Sequence, residues 1–252
     1  MKVVILAGGF GSRLSEYTEI IPKPMVKIGN DPILMHIIKI YAKFGYNDFY
    51  IALGYKSDVI IDYFMKYKYS EKINNSNDEN ITSYQLDDLK LKINLIHTGK
   101  NAMTGGRLKR LEKYIGKQRF MLTYGDGLSD INLHALSEFH TSHGKLATVT
   151  AVRPPARFGV LQLNEDKVIS FKEKSQLDEG WINGGFFIIE PEFFSFIKND
   201  ETFLEREPLE KAALLDQLRA YKHNGFWQCM DTKRDKDKLE SMYITGDIKW
   251  EK

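Results

Sequence analysis

The apolar residues change period along the chain, and the changes mark out its elements. Residues 2–7 form a continuous apolar run, which predicts a strand covered on both faces, as in a parallel sheet. In "NDPILMHIIKIYAKFGYNDFYIALGY", Ile33, Leu34, Ile37, Ile38, Tyr41 and Phe44 recur at helical spacing. Asp31 suits the cap of that helix, Pro32 its first position and Gly45 its C-terminal closure. Residues 49–53 predict the next strand. Ser57 then caps a helix to about Tyr69, with Val59, Ile60, Tyr63 and Phe64 on one face. "LKINLIH", "GRLKRLEKYIG" and "RFMLTYGDG" continue as strand, helix and strand. Residues 70–90, rich in Asn, Ser and Asp, have no clear period and predict a surface insertion, ribbon or loop.

The second half has another rhythm. "ATVTAVRP", "FGVLQLN", "KVISFKEK" and "INGGFFIIE" are short strands with little helix between them, and "EPLEKAALLDQ" and "KRDKDKLESMY" are helices. The expected fold is α/β: a Rossmann-like, doubly wound, mostly parallel sheet with a smaller mixed-sheet lobe. No Pro-, Gly- or Ser-rich linker divides the halves, so 1–252 is expected to be one domain with lobes over 1–150 and 151–252.

Composition narrows the function class. The chain has 252 residues, 42% hydrophobic and 28% charged, a globular profile with a core large enough to need no staples. A net charge of +2 gives no reason to expect nucleic acid or a membrane as partner, so anion binding must come from a local site. One cysteine, Cys229, excludes a disulfide framework and reads as a small apolar filler. The first residues do not read as a signal peptide, and a cytoplasmic protein is expected.

The candidate chemistry starts at "KVVILAGGFGSRL". Glycines after the first strand of an α/β sheet let backbone approach a phosphate. Gly9 and Gly11 begin a dinucleotide fingerprint, but Leu14 stands where its last glycine belongs; a P-loop fails because Ser12-Arg13 follows Gly11. A tight turn without ligand stays possible, yet Arg13 places a fork-shaped cation beside exposed N–H groups. In "IIPKPMVKIG", Pro22 and Pro24 bracket Lys23 and are expected to hold it in extended backbone as a placed charge. His140 and His143, three apart on an expected helix without a third ligand nearby, read as solvated.

"LAGGFGSRL…PKPM" resembles the signature of the sugar-1-phosphate nucleotidyltransferases. The series "MTGGRLKR", "TYGDG", "RFGVL", "FKEK", "WINGGFF", "EPL" and "GFWQCMDT", in that order, is similar to their cytidylyl-transferring branch across essentially the whole chain. Ser12 replaces the common threonine, and Ser175 follows Glu173-Lys174 where the family carries proline.

The resemblance implies transfer of a cytidylyl group from CTP to α-D-glucose 1-phosphate with Mg²⁺ and release of pyrophosphate. UTP or dTTP, another phosphorylated acceptor, or a silent nucleotide sensor are the alternatives. It implies a nucleotide-binding first lobe and a sugar-phosphate second lobe. Arg13 and Lys23 would be catalytic. Leu6, Ala7, Gly8, Gly9, Gly11, Ser12, Arg13, Lys23, Thr104, Gly105, Arg107 and Asp126 would hold the nucleotide. Tyr124, Gly125, Glu173, Lys174, Asn183 and Gly184 would hold the sugar phosphate, and Asp126 and Asp231 the metal. Trp181 and Trp227 could pack on a ring face or belong to the core. The family also implies a homo-oligomer, a hexamer, and a place in bacterial surface polysaccharide (O-antigen) synthesis.

Overall fold

The computed structural model describes residues 1–73, 78–154, 159–173 and 180–251, with backbone alone for 159–163 and 170–173. Strand β1 (Lys2–Leu6) leads through a short helix, α1 (Ser15–Thr18), and a small hairpin of β2 (Lys27–Ile28) and β3 (Asp31–Pro32) into α2 (Ile33–Lys43). Then come β4 (Asp48–Leu53), α3 (Ser57–Lys66), β5 (Ser70–Ile73), β6 (Ile81–Leu86) and β7 (Leu91–His97). Next are α4 (Thr104–Ile115), β8 (Phe120–Tyr124), β9 (Gly127–Ser129), α5 (Leu133–His143) and β10 (Ala147–Val152). The chain continues through β11 (Gly159–Asn164), β12 (Lys167–Glu173), β13 (Ile182–Ile189), α6 (Glu207–Leu214), β14 (Leu218–Lys222), β15 (Trp227–Cys229) and α7 (Lys233–Ile244).

Among the described residues, nine strands form one sheet in the order β14-β10-β13-β8-β1-β4-β7-β6-β5. β8, β1, β4 and β7 pair in parallel, as do β10 and β14, while β13 and β6 pair antiparallel with both their neighbours. Every strand of this sheet except those two therefore points the same way, as the strand–helix rhythm predicts. Strands of the second half extend the first half's sheet through the β13–β8 pairing, while β11 and β12 pair only as a hairpin. The described part of the 70–90 stretch, 70–73 and 78–90, is a ribbon: β5 and β6 add to the sheet edge, with Tyr84 opposite Ile93 and Leu86 opposite Leu91.

Apolar side chains alternate across β1. Val3 and Ile5 enter the layer packed by α2, and Val4 and Leu6 enter the layer containing Leu108 and Leu111 of α4. With both faces covered, β1 has no polar alternation to show. α2 is buried on more than one face because Trp250, 2% exposed, returns to it and donates its Nε1–H to His36 Nδ1 at 3.2 Å.

Local expectations need four corrections. Asp31 does not cap α2; it pairs with Ile28 in the small hairpin and binds Lys39 at 2.5 Å, leaving extended Pro32 at the cap. Ser57 is the first residue of α3, and Lys56, in the left-handed region at φ 49°, takes the capping position. Lys23 is not extended: it opens a tight turn over Lys23–Met25, in which the Met25 N–H donates to the Pro22 carbonyl at 2.8 Å. His140 is buried rather than solvated, 1% exposed, with Nδ1 2.7 Å from Thr148 Oγ1 and Nε2 3.3 Å from Glu190.

Burial pushes His140 down to about 4, with Arg119 and His143 opposing protonation further and Glu190 partly favouring it. An unfolded histidine titrates near 6.5, so between pH 6.5 and 4 the unfolded chain binds the extra proton. Stability should therefore fall as pH drops through this window. Between pH 7 and pH 5 the native protein should lose about 2 kcal/mol more than His140→Gln, read by urea unfolding at each pH. Equal losses would remove His140 as the cause.

No helix among the described residues is long and apolar enough to cross a membrane.

Candidate active site

In a mostly parallel sheet the loops after the strands gather at one edge, where ligands bind. Here the turns after β1, β4, β7 and β8 all leave from that edge. Because β13 runs the other way, its first residues, Ile182–Gly184, lie there too. The turns after β1, β7 and β8 and the start of β13 line a cleft of about 670 Å³.

Two carboxylates and two cations meet in this cleft. Lys23 Nζ lies 2.6 Å from Asp126 Oδ2 and 2.5 Å from Asp231 Oδ1. Arg13 reaches Asp231 Oδ2 at 2.7 Å, and its side chain is 75% exposed against 12% for Lys23. Burial alone would lower the Lys23 ammonium, but the charges and hydrogen bonds of Asp126 and Asp231 outweigh it and hold the group above its usual value. Burial would likewise raise Asp231, yet Lys23 and Arg13 hold it below the usual carboxylate range.

The meeting of Asp126 and Asp231 follows from a strand register. β9 and β15 pair antiparallel with Gly127 opposite Cys229, and the Met230 N–H then donates to the Asp126 carbonyl at 2.9 Å. The two aspartates thus leave one end of one ribbon. Two hard carboxylates converging on one cationic point fit a divalent ion whose other positions go to water and phosphate oxygens. Cys229 lines the same cleft; burial, with Asp231 and Asp126 nearby, pushes its thiol up to about 12, so it carries no nucleophilic thiolate at neutral pH.

Arg107 sits beneath the glycine loop. It is 4% exposed, and its guanidinium donates to the Leu53 carbonyl (3.2 Å), Thr98 Oγ1 (3.0 Å), the Gly99 carbonyl (2.6 Å) and the Lys100 carbonyl (3.0 Å). Gly8 must be glycine because a Cβ there would fall 2.4 Å from Arg107 Nη1. The side chain thus supports the loop and the ends of β4 and β7 while edging the cleft. Arg107→Lys, which keeps the charge but loses the fork, should cost about 1–3 kcal/mol by leaving buried carbonyls unpaired. Thermal unfolding reads this, and an unchanged transition would refute it.

Leu6, Ala7, Gly9, Gly11, Ser12, Thr104, Tyr124, Gly125, Asn183 and Gly184 also line the cleft. Gly105 does not; it packs on the segment before α6, where its N–H donates to the Thr202 carbonyl at 3.0 Å. Glu173 ends β12 with only its backbone described, and Lys174 and Ser175 lie outside the described residues. In β13 the glycines have an internal reason. Gly185 takes φ +80° where the pairing with β10 slips, and the Tyr124 ring would lie 2.8 Å from a Cβ there. Trp227 borders the cleft and donates its Nε1–H to the Gly184 carbonyl at 2.8 Å. The half-buried Trp181 is flanked by the cations of Arg153 and Lys222.

Glu205, which no sequence pattern marks, lines the cleft and binds Thr104 and Tyr124. In its stretch, "FLEREPLE", several carboxylates look alike in one dimension.

Comparison with known proteins identifies the chain's relatives. The glucose-1-phosphate cytidylyltransferase of Salmonella typhimurium is 46% identical over 253 residues, covering 99% of this chain and 98% of that protein. A Bacillus subtilis protein named a probable glucose-1-phosphate cytidylyltransferase is 40% identical over 254 residues, covering 99% of both. The crystal structure of a UDP-glucose pyrophosphorylase with UDP-glucose shares the fold at a TM-score of 0.69 and 18% identity, over 97% of this chain and 98% of that one. Residues 2–237 match the family described as nucleotidyl transferase, and the chain belongs to that family.

Proposed function

We propose that this chain transfers the cytidylyl group of CTP to α-D-glucose 1-phosphate, giving CDP-glucose and pyrophosphate. The observation that carries the reading is its 46% identity, over 99% of its length, to a protein named for that activity. The site's chemistry supports it. A phosphate monoester has a second pKa of about 6, so the attacking oxygen is already ionised and needs no general base. What remains is to align two anions and neutralise the charge that builds between them.

Arg13 and the N–H groups of Gly9–Ser12 hold the triphosphate, and Lys23 serves the α-phosphate or the attacking phosphate. Leu6, Ala7, Gly8, Thr104, Gly105 and Arg107 form or support the nucleotide side, within the lobe of residues 1–150. Tyr124, Gly125, Asn183 and Gly184, with Glu173 and Lys174, take the sugar phosphate on the side of 151–252. Asp126 and Asp231 would hold Mg²⁺, which when bound supplies positive charge to the phosphate oxygens. A homo-oligomer working in the cytoplasm, feeding surface polysaccharide synthesis, completes the reading.

The test is a grid of CTP, UTP, dTTP, ATP and GTP against glucose 1-phosphate with Mg²⁺, scored by pyrophosphate release. CTP should exceed the others. Faster release with UTP or dTTP would overturn the base, and nucleotide binding without turnover would make the protein a sensor.

A further inference from the structure

The cleft holds a hydrogen-bond network centred on Glu205, a residue given no part in the transfer reaction above. Glu205, on the segment before α6, accepts from the Tyr124 hydroxyl at 2.6 Å through Oε1 and from Thr104 Oγ1 at 2.7 Å through Oε2. The Leu204 N–H donates to Thr104 Oγ1 at 2.9 Å, and Asn183 Nδ2 donates to the Tyr124 oxygen at 3.3 Å. The Gly185 N–H donates to Asn183 Oδ1 at 2.8 Å, which fixes the amide's direction. Each hydroxyl has one proton, and both protons are turned onto Glu205.

The direction of these bonds decides what the network can bind. An ionised carboxylate is an acceptor only, and each of its oxygens keeps a lone pair beyond the one in use. Glu205 is exposed and lines the cleft, so those lone pairs face incoming groups. Phosphate oxygens are acceptors too and find their donors at Arg13 and Lys23. Glu205 can take only a donor, and the donors of a sugar phosphate are its ring hydroxyls. The network runs through Tyr124 to the start of β13, where Trp227 adds an aromatic wall bonded to the Gly184 carbonyl.

We propose that Glu205 is a specificity-determining residue that selects the acceptor by a hydroxyl of its sugar ring, a role that rests on the transfer reaction above. Tyr124 and Thr104 act as positioning residues, holding the carboxylate by both oxygens. A glutamine side chain at this position could not take over the role, because an amide has one acceptor oxygen and would turn a donor toward the substrate.

The experiment compares kcat/KM for glucose 1-phosphate with that for its 2-, 3-, 4- and 6-deoxy analogues at saturating CTP. It uses the wild-type protein, Glu205→Gln and Tyr124→Phe, with 2′-deoxy-CTP as the ribose arm. In the wild type at least one deoxy sugar should be rejected by about tenfold or more, and in Glu205→Gln that ratio should shrink below about threefold. Tyr124→Phe should shrink the same ratio, and combining the two variants should add little, because both disturb one network. A purely structural role would lower all rates together and leave the ratio unchanged, which would overturn the proposal. Loss of discrimination confined to 2′-deoxy-CTP would overturn it as well. Absence of turnover in the wild-type protein would instead refute the transfer reaction itself.

Discussion

Asp126→Asn should lower turnover by on the order of 10²–10³-fold while leaving the fold in place, the scale of losing one preorganised electrostatic contact at a transition state. The residue stands two positions after the end of β8, at the edge where the cleft opens, and its carboxylate meets Lys23 at 2.6 Å. Asparagine keeps the shape and one oxygen but removes the charge that would hold a divalent ion. Stability should change by no more than about 1–2 kcal/mol, because the Asp126 side chain is 26% exposed and Lys23 keeps Asp231. Steady-state kinetics with pyrophosphate detection, beside urea unfolding, separates the two effects. Near-normal turnover in a folded variant would remove Asp126 from the reaction.

Lys23→Met should have opposite effects on two measurements. Turnover should fall by on the order of 10²-fold or more, since a placed cation is lost from beside the reacting phosphates. Binding of Mn²⁺ in the absence of nucleotide should tighten by about tenfold, roughly 1.4 kcal/mol. The reason is competition: the ammonium lies within 2.6 Å of both carboxylates that would receive the ion, so the metal must displace a positive charge already there. Methionine keeps the stem and leaves the carboxylates facing each other, with Arg13 still on Asp231. Calorimetric or paramagnetic titration reads the affinity without any turnover. Unchanged or weaker Mn²⁺ binding would mean that Lys23 assists the metal site instead of occupying it.

The parts of this molecule that were legible in sequence are those written in local periods. β1, α2 and β4 follow from unbroken or helical apolar spacing, and Gly45, at φ +81°, closes α2 as its position predicts. The ribbon of β5 and β6 is harder to read, because "ITSYQL" alternates polar residues with few strongly apolar ones. His140 misled for another reason. A polar residue on a helix looks solvated until Thr148 and Glu190 arrive from β10 and the end of β13. At the site, Arg13, Lys23 and Asp126 stand in recognisable segments, but Asp231 joins them only through the β9–β15 register, and Glu205 only through the path of the chain before α6. Arg107 shows the limit of reading a charge by type: its fork is spent on carbonyl and hydroxyl oxygens of the protein itself.

The central place of β1 has a consequence for how the protein is made. Its neighbours are β4 on one side and β8 on the other, with Lys2 paired to Phe120. During synthesis β1 therefore precedes both of its partners and keeps one open flank until β8 has emerged. Until then its unsatisfied amides and Val–Ile side chains are available to any other nascent strand. Chaperone demand and inclusion-body formation should depend on how fast ribosomes cross the stretch between the two strands, a property of the message that leaves the finished enzyme untouched.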